Sequence, residues 1–478
     1  MVHKPEESIL DFVETFWDAF IVPTLVDYIK IPCLSIDFDP QWRSHPYMED
    51  VRSLALQWLE HQAEADWTVH AETLPNKTPL ILVEIPPAGD PANTETVLLY
   101  GHLDKQPEME GWREGFGPWI PIIEQGRLYG RGGADDGYAL FAAVAVVKAL
   151  RRLKRSHARI VILIEFSEES GSPHLPDYLH HYESVIGVPA LVIALDSGTG
   201  DYERLWSTTS LRGMLACNVT VEVLKEATHS GIASGIVPCS MRIMRELLER
   251  LEDTRTGEVL LTELHGPIPE ARLHQAQQTA ALIGNDALGG FSSIDGLEPV
   301  SDDPVQRLLN NTWKPTVCVV GQDGIPAVKD AGNVLRAYTR FKLSFRLPPN
   351  VTVETAKTAI EQQLSRDSPY SARVSVEFDQ GGKGWDAPEL APWLQQANSE
   401  ASTLFYGQDA AYTGLGASIP FMSMLGESYP EAQFLITGVL GPKSNAHGPN
   451  EFLHIPYAKK LTACVVHILD QHSRQTSG

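Results

Sequence analysis

The stretch Val97-Leu98-Leu99-Tyr100-Gly101-His102-Leu103-Asp104 decides the fold. An unbroken apolar run passes, through one glycine, straight into a histidine and an aspartate. Strands of a parallel sheet are buried on both faces and read as such runs, and ligands gather at their carboxyl ends. Two further segments repeat the pattern: Ile160 to Phe166 leads to Glu168-Glu169, and Leu191 to Leu195 leads to Asp196. Parallel strands of this kind deliver their polar residues to one sheet edge. Gly130-Arg131-Gly132-Gly133-Ala134-Asp135-Asp136 precedes a long apolar helix, and His447 lies in a Gly-rich loop after the strand-like Phe434 to Val439. Two imidazoles and several carboxylates on one edge suit a pair of divalent metals and the hydrolysis of an amide.

At 478 residues the chain exceeds one ordinary core, so two domains are expected. The formal charge of -23 argues against a nucleic-acid or anionic-membrane surface, both of which need basic patches. The amino end has neither the basic start nor the apolar core of a secretory signal. No stretch approaches the roughly 18 uninterrupted apolar residues of a membrane span. Five cysteines are scattered without a C-x-x-C pair, which gives no disulfide framework and no thiolate zinc site. A reducing cytoplasm is the expected location.

Before Asp196 helix-like and strand-like segments alternate, the mark of an α/β domain. Helices are predicted over Ser8 to Ile31, Tyr47 to Ala63 and Tyr138 to Leu153, and strands over Leu80 to Ile85 and Thr96 to Tyr100. After Asp196 the pattern changes. Leu215 to Val223 is strand-like, a loop carries His229-Ser230-Gly231, and Val237 to Leu251 has helical periodicity. Ala337 to Leu347 alternates strictly, with Phe341, Leu343 and Phe345 on one face and Arg340, Lys342, Ser344 and Arg346 on the other. A helix (Val353 to Leu364) and a strand (Arg373 to Phe378) follow. Two such strand-helix units predict a small open sheet with helices on one face, ferredoxin-like in outline. The Gly-, Asp- and Pro-rich stretch 252–331 gives no reading and is treated as an elaboration of this second domain. The first domain is thus interrupted: 1–208 and 386–478 form it, and 209–385 is the insertion.

A carboxylate that bridges two metals, with a His and a carboxylate completing each side, lets water bind between the ions and lose a proton near neutral pH. A further uncoordinated carboxylate can shuttle that proton. Consecutive Glu168 and Glu169 fit such a division of labour. Asp104, two residues beyond His102 on an extended segment, could hold the imidazole tautomer. Each piece alone has a plain alternative, such as a capped turn or a solvated loop. Their occurrence together and in this order discriminates.

G-H-L-D before a Gly-Trp segment, L-Y-G-R-G-G-A-D-D-G, S-E-E-S-G-S, A-L-D-S, T-H-S-G and N-A-H-G-P-N-E together closely resemble the dinuclear zinc metallopeptidases. That family includes carnosinase and the Cys-Gly dipeptidases, with aminoacylases and desuccinylases as relatives. The resemblance spans nearly the whole chain and is strongest to the dipeptidase branch. It implies a zinc-exopeptidase-like α/β catalytic domain, its mixed, mostly parallel sheet flanked by helices, and an inserted α+β lid that also dimerises. It implies that Asp135 bridges two metals, that His102 and Asp196 complete one site, and that Glu169 and His447 complete the other. Glu168 is then the general base and Asp104 the partner of His102. A cis peptide is expected between Asp135 and Asp136. His229 corresponds to a histidine that reaches the active site of a second subunit, and Arg346 and Ser418 correspond to residues that bind the substrate carboxylate. Zinc is the default ion, and manganese or cobalt can occupy such sites.

Three departures stand out: Gly137-Tyr138 where many relatives have Lys-Gly, Gln380 in place of a lid histidine, and Gly384 in place of a proline before Trp385. None is an expected metal ligand. The expected activity is amide hydrolysis of dipeptides or short peptides with a free carboxy terminus. An N-acyl amino acid deacylase is the nearest alternative, and a metal-free binding or scaffold homologue is a remote one.

Overall fold

The computed structural model describes residues 7–284, 291, 293–379 and 381–475. The apolar runs pair into a mixed nine-stranded sheet. At its centre Thr96–His102 lies parallel to Ile160–Glu165 on one side and to Pro189–Ala194 on the other, and Gln433–Ile436 continues the parallel set. Antiparallel strands close both flanks, Leu80–Ile85 at one and Trp206–Leu211 at the other.

Alternate residues of the central strands enter two separate cores. Val97, Leu99, Ile162 and Ile193 pack on one side with the helices Ala139–Arg152 and Ile455–His472, whereas Leu98, Tyr100, Leu163 and Val192 meet Tyr178, Phe421 and Leu425 on the other. Burial on both faces is why these strands lack polar alternation. The helix Ala139–Arg152 can lie so deep because its side chains are small or apolar up to Arg151 and Arg152, whose cations complement the helix dipole.

The expected amino-terminal helix is interrupted. A Ser8-Asp11 capping box starts Ile9–Phe16, a π-turn covers Trp17–Ile21, and Val22–Ile29 follows. Pro23 lacks the N–H that a regular helix would send back to residue 19, so the wider turn costs no such bond there.

The chain leaves the large sheet at Arg212 and builds a four-stranded antiparallel sheet, ordered Thr316–Asp323, Tyr338–Leu347, Gly213–Glu222, Arg373–Phe378. With Ser240–Leu248 and Val353–Ser365 packed on one face, this is the ferredoxin-like arrangement. Phe341, Leu343 and Phe345 enter that core as their alternation predicts. The unread stretch differs from expectation. Its helices Glu270–Ile283 and Pro304–Thr312 lean on the first domain: Thr279 Oγ1 donates to Tyr412 O at 2.7 Å, and Arg272 pairs with Asp386 at 2.8 Å. Among the described residues Ala276, Leu309 and Trp313 are the buried members of their small core, with Ile268, Val305 and Leu308 packed against it, a short apolar pattern set in a polar stretch. No helix among the described residues is long and apolar enough to cross a membrane.

Ile162, fully buried in a central strand, tests this packing. Ile162→Ala is expected to cost about 2–5 kcal/mol of unfolding free energy, read as a shifted denaturant midpoint at an unchanged slope.

Candidate metal centre

His102 ends its strand, and the residue before it must be small. A Cβ on Gly101 would stand 2.4 Å from the Ala139 methyl and 2.7 Å from Asp136 Oδ2. The His102 ring is fully buried, with Nδ1 3.2 Å from the Asp104 carbonyl and 3.5 Å from Asp104 Oδ1. Its Nε2 points at Asp135 Oδ1 (3.5 Å) and Asp196 Oδ2 (3.7 Å) and has no hydrogen-bond partner among the described residues. The other oxygen of Asp135 lies 2.9 Å from His447 Nε2, which is also 3.3 Å from Glu169 Oε2. A single carboxylate therefore faces one imidazole with each oxygen. The Asp135-Asp136 peptide is cis.

Glu168 and Glu169 open a short 3-10 turn just beyond their strand. Asp104 holds that turn: its Oδ1 accepts the N–H of Glu168 and its Oδ2 that of Glu169, each at 3.1 Å. Potential ligand atoms of His102, Glu168 and Asp196 lie within 4.8 Å of one another, as do those of His102, Asp135 and Glu169. The turn thus brings Glu168 as close to the cluster as the expected ligands.

The charges in this space do not balance without a cation. Burial, reinforced by Asp196, raises the pKa of Glu168; burial and Asp135 raise that of Glu169; burial also raises those of Asp196 and Asp136. Burial would raise Asp135 as well, but His102 and His447 outweigh it and hold its pKa low. Burial opposes protonation of both imidazoles, and neighbouring carboxylates overcome it, Asp196 foremost at His102 and Asp135 at His447. Protons would otherwise have to neutralise the cluster. The unpartnered His102 Nε2 among carboxylate oxygens is a donor set that fits a divalent ion.

The sequence model of peptidase family M20/M25/M40 matches residues 98–471. The chain belongs to this family. It is 24% identical to a cysteinylglycine-S-conjugate dipeptidase of Corynebacterium striatum, covering 87% of this chain and 90% of that one. It is also 24% identical to the beta-Ala-His dipeptidase of Rattus norvegicus, covering 98% and 96%. The fold matches that of the dipeptidase Dug1p from Saccharomyces cerevisiae with a TM-score of 0.78 at 23% identity, over 97% and 98% of the two chains. The chain is a metallopeptidase of the M20 type.

Several residues that support this M20 centre escape a reading of the sequence. Arg131 and Glu451 form a fully buried ion pair; Arg131 Nη2 also donates to Gly448 O (2.9 Å), and Glu451 Oε1 accepts the Gly132 N–H (2.9 Å). The pair locks the His447 loop to the Asp135 loop, and with its members 320 positions apart in the chain no spacing could announce it. Gln106 Nε2 donates to Glu169 Oε2 at 2.8 Å. The departure at Gly137 has a steric reason, since a Cβ there would stand 2.2 Å from the Tyr28 ring. Lys105 stacks 3.8 Å from that ring and bonds to the carbonyls of Tyr28 and Ile31, both at 2.8 Å, with burial bringing its pKa down to about 7.

Arg346 and Ser418 meet, Nη1 donating to Oγ at 3.2 Å. His229 is exposed on the inserted domain, its Nδ1 accepting the Gly231 N–H at 3.1 Å. No described hydrogen bond or ion pair joins it to the cluster of its own chain. Gln380 lies outside the described residues.

Asp104→Asn keeps the volume of this anchor but sets an NH2 against a backbone N–H. It is expected to weaken divalent-metal affinity by about 10- to 100-fold, measured by competition with a chelator.

Proposed function

We propose that this M20 protein is a dipeptidase or short-peptide exopeptidase whose substrates carry a free carboxy terminus. The observation that carries the reading is Asp135, one oxygen toward His102 and the other toward His447, with Glu168 beside them. Asp135 would bridge two divalent ions, His102 and Asp196 completing one site and Glu169 and His447 the other. Zinc suits this mixed set of imidazole and carboxylate, and manganese or cobalt would also fit. When bound, such ions supply Lewis acidity toward a carbonyl oxygen and lower the pKa of water.

The chain's own groups do the rest. Glu168, its pKa raised by burial, takes a proton from the attacking water and returns it to the leaving amine. Asp104 fixes the backbone of both glutamates, so that Glu169 can face a metal while Glu168 faces the water. Arg346, steadied by Ser418, pairs with the terminal carboxylate through a fork that lysine cannot reproduce. The names of the two dipeptidase relatives favour a peptide over an N-acyl amino acid as substrate. The five cysteines, all free, agree with a reducing cytoplasm.

We also infer a homodimer through the inserted domain, acting as lid and as interface, with His229 of each chain stabilising the oxyanion in the other subunit. Its exposure, and the absence of a described link to its own cluster, support action in trans.

Asp135→Ala should abolish both metals, whereas Glu168→Gln should keep both and lose about a hundred- to ten-thousand-fold in turnover. Elemental analysis and steady-state rates on a dipeptide check the pair; retention of two metals without Asp135, or near-normal turnover in Glu168→Gln, refutes the roles. Subunit mixing tests the dimer. If His229 acts in trans, each His229→Ala/Glu168→Gln heterodimer has one intact site of two, and equal mixing should restore roughly a quarter of wild-type activity. No recovery despite demonstrated exchange would overturn the trans assignment.

A further inference from the structure

Arg212 is the single residue between the last strand of the large sheet before the insertion, Trp206–Leu211, and the first strand of the small one, Gly213–Glu222. It is only 5% exposed. Its Nε donates to Gly416 O at 3.1 Å, and its Nη1 donates to Asn310 O (3.3 Å), Lys314 O (3.1 Å) and Thr316 Oγ1 (3.2 Å). Its Nη2 has no partner among the described residues.

Arg346 reaches the same 416–418 loop from the small sheet. The Ser418 hydroxyl that accepts from Arg346 donates its one proton to the Arg212 carbonyl, at 2.5 Å. That hydroxyl is therefore committed as a donor, and a substrate anion must look to the guanidiniums. Neither arginine forms an ion pair with a carboxylate among the described residues, in a chain with 61 acidic residues against 38 basic ones. Both guanidiniums bond to the 416–418 loop without local neutralisation, and burial, then the charge of Arg346, brings the Arg212 pKa down to about 10.

Buried cations are ordinarily paired, because desolvation without a counter-ion is costly. One substrate carboxylate answers one of the two charges. We propose that Arg212 is a second anion contact of the substrate pocket, and that the enzyme prefers dipeptides whose carboxy-terminal residue is Asp or Glu. This rests on the reading of Arg346 as the site for the terminal carboxylate. Arg346 takes the main-chain carboxylate, and the free Nη2 of Arg212 takes that of the side chain. The bonds from Nε and Nη1 hold the Arg212 fork before substrate arrives, so little side-chain freedom is lost on binding.

The experiment compares dipeptides that share an amino-terminal residue and end in Asp, Asn, Glu or Gln, each as the free acid and as the α-amide. Metal-loaded wild-type enzyme, Arg212→Lys and Arg212→Gln are used. Wild-type kcat/KM is expected to be about tenfold or more higher for Asp and Glu than for their amide isosteres, the worth of one charge-assisted hydrogen bond. Added salt should narrow that gap. The ratio should fall toward one in Arg212→Gln and remain intermediate in Arg212→Lys. Wild-type enzyme that favours free acids over α-amides but does not favour Asp over Asn overturns the second contact and leaves the exopeptidase reading standing. Equal rates on free acids and α-amides overturn that underlying reading. An acidic preference that survives in a folded Arg212→Gln removes Arg212 from the assignment. If that variant does not fold, the wild-type ratio and Arg212→Lys still decide.

Discussion

Too much negative charge is concentrated at the carboxyl ends of the parallel strands of one mixed sheet, and much of the structure answers to it. Asp135, Asp196, Glu168 and Glu169 converge on two imidazoles, His102 fully buried and His447 at the open side of the cluster with its side chain 52% exposed. Coulomb repulsion among such groups grows as the local dielectric falls, so the cluster needs protons or metal cations to exist. The surrounding architecture resists the spread that repulsion would cause. The Arg131-Glu451 pair ties the His447 loop to the Asp135 loop. The Asp104 carboxylate fastens the Glu168-Glu169 turn, and Lys105 bonds to the end of the amino-terminal helix while its stem fills the space where a Gly132 side chain would lie. These groups touch what holds the ligands, and so act on geometry.

Much of this was legible in the sequence, for a physical reason. A strand buried on both faces holds a polar residue only where it is partnered, as Glu165 is by Tyr100, Ser167 and Ser172, so the histidine or carboxylate that follows the apolar run marks the sheet edge. His102, Glu168 and Asp196 were found in that way, and the small sheet from the strict alternation at Tyr338–Leu347. Assigning ligand, base and bridge required the family resemblance, because spacing alone does not rank Glu168 against Glu169. The geometry leaves the same tension, since Glu168 lies as near His102 and Asp196 as a ligand would.

What could not be read has equally definite causes. Glu270–Ile283 buries few large side chains and is fixed to the first domain by polar contacts such as Thr279 to Tyr412, which leave no periodic trace, and Pro304–Thr312, with Val305, Leu308 and Leu309 packed on one face, is only 9 residues long. Arg131 stands in the Gly-rich motif with no role that spacing could assign, because its partner Glu451 is distant in sequence. The π-turn at Trp17–Ile21 preserves the buried face of the helix, so the apolar pattern runs through it unbroken.

The 416–418 loop is where the large and small sheets are tied together. It belongs to the large-sheet domain, yet Arg346 of the small sheet bonds to Ser418, and Arg212 bonds to Gly416 from the crossing between the sheets. Arg212 also binds the carbonyls of Asn310 and Lys314, at the end of the helix that leans on the first domain. A rigid displacement of the small sheet would have to break the Arg346-Ser418 bond and reorganise the Arg212 fork together. The stretch without a legible period is therefore part of what sets Arg212 in place. An insertion that looks peripheral in sequence thus helps to hold Arg212 and Arg346 against the 416–418 loop.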